Sequence, residues 1–129
     1  TREQLETAIA RSRSMGLQVH ITQLDASLHK WEPARRTMRR REVTVYDDEK
    51  KAAQTEQYRM IFDVLRKNSD VVTNVTFWGL DDRSSWLNNY PVRGRKNFPL
   101  LFDNYRCPKP VFFKLVDDAN GLHRGQVEN

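Results

Sequence analysis

The chain has 129 residues, 38% apolar and 30% charged, which fits one domain with a modest core. The net charge of +5 admits a polyanionic partner, but five of the arginines fall between Arg35 and Arg41, so the excess is local. No apolar run approaches the roughly 20 residues of a membrane span, and a single cysteine, Cys107, excludes an intrachain disulfide. Cys107 reads as a bystander rather than a nucleophile, since a reactive thiol needs an activating neighbour.

Thr1 and Gln4 form a capping box, Leu5, Ala8 and Ile9 make an apolar stripe, and Gly16 supplies a stop. Residues 2–15 are therefore predicted to be a helix. In Val19-His20-Ile21-Thr22, β-branched residues alternate with polar ones, the period-2 signal of a strand running to Asp25. That alternation sets Gln23 and Asp25 on one side and His20, expected as a packed histidine, on the other. Ala26 to about Tyr46 shows no period and contains Pro33 and the arginines, which predicts a long loop.

Acidic residues at Asp47 and Asp48 open the next helix, and Tyr58, Ile61, Val64 and Leu65 give it a buried stripe to Asn68. Val71 to Trp78 is predicted as a second strand, closed by Gly79. Residues 79–107 then read as a structureless connection of 29 residues, far beyond the usual median of about 4–6. Pro108-Lys109-Pro110 opens a last short helix with Val111, Phe112 and Leu115 as its apolar face. Residues 117–129 read as a frayed tail. Helix then strand, twice over, is the rhythm of an α/β protein.

Several stretches resemble glycoside hydrolase family 10, the retaining endo-β-1,4-xylanases. Ile21-Thr22-Gln23-Leu24-Asp25 is similar to the family's seventh strand, whose motif Ile-Thr-Glu-Leu-Asp carries the catalytic nucleophile on Glu. Val75-Thr76-Phe77-Trp78-Gly79, Trp86, Gly94-Arg95-Lys96-Asn97-Phe98-Pro99-Leu100-Leu101-Phe102-Asp103 and Pro108-Lys109-Pro110 follow in the family's order and spacing. The resemblance implies that residues 1–116 are the C-terminal portion, the last two strands and their helices, of a (β/α)8 TIM barrel. Such a barrel takes about 250 residues, so the expected partner is the N-terminal part of the same barrel, on a separate chain or segment. The implied ligands are xylan and xylo-oligosaccharides, an extracellular or periplasmic setting follows from that substrate class, and no cofactor is required.

By the same resemblance Gln23 occupies the nucleophile position. An amide there is nearly isosteric with the family's glutamate but carries no negative charge, so a glycosyl-enzyme is not expected to form. We read it as a substitution that traps substrate, with a natural xylan-binding pseudo-enzyme as the alternative. Asp25 matches the aspartate that supports the nucleophile through a histidine on the sixth strand. The acid/base glutamate belongs to the fourth strand, outside this chain.

Trp78 and Trp86 match the tryptophans that border the sugar next to the scissile bond, where an indole face stacks on the apolar face of a xylose ring. Trp78 reads equally as barrel core, whereas Trp86 sits in the polar run Asp81 to Ser85. Arg93, Arg95 and Lys96 either brace their loop, reach a sugar hydroxyl or form a solvated turn, and Arg93 and Arg95 are taken as substrate-binding. The Arg35–Arg41 cluster reads as a solvated loop, with a site for acidic substituents such as glucuronic acid as the alternative. A basic nucleic-acid-binding module would need phosphate-dependent, steeply salt-dependent binding, and no motif supports it. His29 and His123 lack the spacing of a metal site.

Overall fold

The computed structural model describes the backbone of residues 1–127 and the side chains of residues 1–121. Its elements run α1 (Arg2–Ser14), β1 (Val19–Leu24), α2 (Asp48–Lys67), β2 (Val72–Phe77) and α3 (Pro110–Val127). The two strands are parallel and pair directly, so α2 lies in the long crossover that a parallel pair requires.

Each helix starts where its caps dictate. Thr1 and Gln4 satisfy each other's end of α1 in the expected capping box, and Gly16 follows the helix at φ +69°, a left-handed conformation that suits glycine. The Asp47 carboxylate accepts from the Lys50 backbone N–H at 2.9 Å, which fixes the start of α2. Pro110 begins α3. That helix runs past Val116, where a frayed tail was expected. Its continuation is held by Asp118, whose carboxylate accepts two bonds from Arg59 of α2 at 2.7 and 3.2 Å. The side chains beyond residue 121, His123 included, lie outside the described residues.

The helices cover one face of the strand pair. Ile9, Val64, Leu65, Val71 and Val72 form one buried cluster, with Val19 and Ile21 packed against it. Leu24, Ala26, Tyr58, Val111 and Leu115 form a second, with Phe77 against it. The other face is polar and open: His20, Thr22, Asn74 and Thr76 are exposed.

Here the alternation read from the sequence needs correction. The pairing slips between Ile21 and Leu24, both of which face the helices, so Thr22 and Gln23 are exposed in succession. Strict period 2 therefore breaks just before the strand ends, and His20 lies on the open face.

Candidate functional site

The two strands end together. The Trp78 N–H donates to the Leu24 carbonyl at 3.0 Å, setting Gln23, Asp25 and Trp78 at the same carboxyl edge of the sheet. Gln23 is exposed there, and its side chain makes no hydrogen bond among the described residues. Gly79 then turns the chain at φ +136°; a Cβ at this position would stand 2.8 Å from Leu100 Cδ1. Both the backbone conformation and the close approach require glycine.

The connection after Gly79 is not structureless. Two short 3-10 turns, Asp82–Ser84 and Trp86–Asn88, are set by the side chains of Asp81 and Ser85. The organising group is Asp82, fully buried, which accepts from the Leu100 N–H at 2.8 Å and pairs with the Lys109 ammonium at 2.9 Å. Lys109 also donates to the Phe98 and Leu100 carbonyls at 2.8 and 2.6 Å. Burial pushes the Asp82 carboxyl up and the Lys109 ammonium down, while each charge supports the other. The pair clamps the loop to the start of α3.

The loop after β1 is stitched to this one. Asn97, itself buried, accepts from the Leu28 N–H at 3.0 Å and donates to Ser27 Oγ at 2.8 Å. The Ala26 N–H reaches the Pro99 carbonyl at 3.1 Å, and a His29 ring nitrogen lies 3.0 Å from the Lys96 carbonyl. His29 thus serves loop packing. Glu32 takes Arg95 at 2.8 Å and Arg35 at 3.2 Å, and Glu42 also pairs with Arg35. The arginine bond from Arg95 holds the Glu32 carboxyl below the usual carboxylate range, and the Arg39 backbone N–H does the same for Glu42.

Trp86 reaches the strand edge from within this stitched pair of loops. Its indole N–H donates to Asp25 Oδ2 at 2.8 Å. Burial raises the Asp25 carboxyl above its ordinary value, and the indole bond partly offsets that rise. Beyond Trp86 the aromatic surface continues: Tyr90 stacks on it at 5.5 Å between ring centres, Trp31 lies 5.8 Å from Tyr90, and Arg36 sits over the Tyr90 ring at 5.5 Å. Trp86, Tyr90 and Trp31 are 42%, 40% and 58% exposed, an uncommon grouping of large rings on an open surface, and Trp78 at the strand end is 48% exposed.

Four of the residues singled out from the sequence, Gln23, Asp25, Trp78 and Trp86, thus meet at one edge. The two arginines part company. Arg95 is 4% exposed and committed to Glu32, so it braces the loops, whereas Arg93 is exposed and only its backbone is tied, donating to the Arg36 carbonyl at 3.1 Å. Trp31, Tyr90 and the Asp82–Lys109 pair were not singled out, since nothing in their spacing links residues that lie far apart in the chain. Cys107 is free and exposed. Among the described residues, no group of three or more His, Cys, Asp or Glu side chains has the arrangement of a metal site, and no helix is long and apolar enough to cross a membrane.

Parallel strands whose carboxyl ends carry polar and indole side chains, under long loops, define part of an α/β protein with its site at the strand ends. Residues 1–118 match the profile of glycosyl hydrolase family 10. The chain belongs to that family. It is 39% identical over 117 residues to an endo-1,4-beta-xylanase of Geobacillus stearothermophilus, a match covering 91% of this chain and 34% of the relative. A xylanase structure from Thermobacillus composti superposes with a TM-score of 0.81 at 37% identity, covering 91% of this chain and 37% of that one. An endoxylanase structure from a sugarcane soil metagenome gives 0.83 at 30% identity, with the same coverage of each. The chain spans about a third of the length of the curated relatives it matches.

Proposed function

We propose that this chain is the C-terminal portion, the last two strands with their helices, of a (β/α)8 endo-β-1,4-xylanase barrel that binds xylan and releases no product. The support is the edge itself: an exposed amide at Gln23, two residues before a carboxylate that anchors an exposed indole. In this reading position 23 faces the anomeric carbon. A retaining glycosidase places an attacking carboxylate and an acid/base carboxyl about 5–5.5 Å apart, and a glutamate from the rest of the barrel supplies the second. With an amide in place of the attacking anion, the covalent intermediate does not form.

Trp78 and Trp86 hold the sugar ring by stacking, and Asp25 acts on Trp86 by fixing the indole plane. No cofactor takes part. The polar face carrying His20, Thr22, Asn74 and Thr76 becomes the inside of the barrel when the N-terminal strands close it.

Calorimetry of the full-length protein with xylohexaose tests the proposal: binding without heat of turnover is expected, and steady product release would overturn it. Gln23→Glu separates this from the second reading, a natural xylan-binding pseudo-enzyme. Recovered xylan hydrolysis supports an inactivated enzyme, whereas intact binding with continued inertness supports the pseudo-enzyme.

A further inference from the structure

Trp86 is held at two ends. Its indole N–H is fixed by Asp25, and its backbone lies in the 3-10 turn Trp86–Asn88, whose last residue carries a buried amide. The Asn88 side chain donates through Nδ2 to the Asp82 carbonyl at 2.8 Å and accepts through Oδ1 from the Asn97 N–H at 2.8 Å. It is 5% exposed, so both bonds are made away from water, where breaking either leaves a polar group unsatisfied.

The two partners are themselves fixed. Asp82 is set between the Leu100 N–H and the Lys109 ammonium, and Asn97 is bonded to Ser27 and Leu28 of the first loop. One partner precedes Trp86 in the chain and the other follows it, so the single amide of Asn88 ties the segment carrying the indole to two independent anchors. Beside the indole, the buried Leu87 supplies an apolar foothold. Without the amide the turn can pivot about Leu87, and a binding face tolerates only about 0.5 Å or 10–20° of misplacement.

We propose that Asn88 is a positioning residue for glycan binding: it does not meet the sugar and acts through Trp86, setting the angle at which the indole presents its face to the ring and its N–H to Asp25. This assignment rests on the xylan-binding reading above. An amide suits the task because it donates and accepts at once from two different atoms. Alanine does neither, and serine, with one polar atom and a shorter reach, cannot span both partners.

The test uses the full-length protein at a temperature where circular dichroism shows every variant folded. Calorimetry with xylohexaose reads affinity, and the indole N–H resonances of the isotopically labelled, unliganded protein read the pose of Trp86, whose signal is the one missing from Trp86→Phe. Asn88→Ala is expected to weaken xylohexaose binding about three- to tenfold, the scale of part of one ring's stacking. The Trp86 signal should shift and exchange faster with water as the bond to Asp25 loosens. Asn88→Ser is expected to fall between parent and alanine, and it serves if the alanine variant does not fold. Val64→Ala, which opens a cavity in the helical core, is the control for lost stability alone: it lowers the melting temperature and leaves both readouts at parental values. Parental affinity or an unmoved Trp86 signal in the Asn88 variants overturns the assignment, and so does equal weakening in Val64→Ala, which would reduce Asn88 to general stability. A parent that does not bind xylohexaose overturns the xylan reading instead, and the Trp86 signal of the unliganded variants then decides whether Asn88 sets the indole.

Discussion

A single hydrogen bond ties the exposed indole of Trp86, on the second loop, to Asp25 at the end of the first strand. Asp25→Ala removes the acceptor and leaves the indole ring itself unchanged, so that the Trp86 N–H loses its partner at 2.8 Å. A typical net hydrogen bond is worth about 1 kcal/mol, so xylohexaose affinity in the full-length protein is expected to fall about fivefold by calorimetry; an unchanged affinity would show that Asp25 does not position the indole. Glu32 and Glu42 give a pH dependence at the same scale. Their carboxyls lie below the ordinary 4.5 in the fold, so the stability they contribute is fully present above that value and is lost as the pH falls through their lowered values. Protection factors across residues 26–46, corrected for the intrinsic exchange rate at each pH, should therefore fall in acid while those of α2 hold. A uniform fall across both would contradict it.

The strands, α1, α2 and the start of α3 were legible in the sequence because each carries a local signal, whereas the length of α3, which runs to Val127, was not. The stripe Tyr58, Ile61, Val64 and Leu65 and the cap at Asp47 place α2 within a residue of its bounds, Asp48–Lys67. The long loops were not legible, because their order comes from pairs such as Asp82 with Lys109 and Ser27 with Asn97, which leave no periodic trace. The slip before Leu24 was hidden for a similar reason: cross-strand pairing sets it, and no residue type announces it. The buried ion pair makes a direct prediction. Lys109→Met leaves Asp82 charged and dry, a cost of about 3–5 kcal/mol, and adding Asp82→Asn should recover most of it. Chemical denaturation of the three variants of the full-length protein measures this, and a double variant no more stable than Lys109→Met would show that packing, not charge, is at stake.

At the scale of the whole molecule, two strands with three helices on one face leave the other face and both outer edges uncovered. Under the proposed barrel, the N-terminal strands bind there. Co-expression of this chain with the N-terminal part of its barrel is expected to give a soluble one-to-one complex by size exclusion, and the chain expressed alone is expected to associate through its bare edges. A monodisperse, cooperatively melting monomer would contradict that. The stitching of the two loops also bears on how a polymer arrives and leaves. With Ala26, Leu28 and Glu32 of the first loop bonded to Pro99, Asn97 and Arg95 of the second, neither can swing without dragging the other. Under the proposed reading, this wall of the groove is a standing bank rather than a door: a glycan would slide along it lengthwise, its residence time set by how many sugar rings touch, with no polypeptide rearrangement on this side timing its departure.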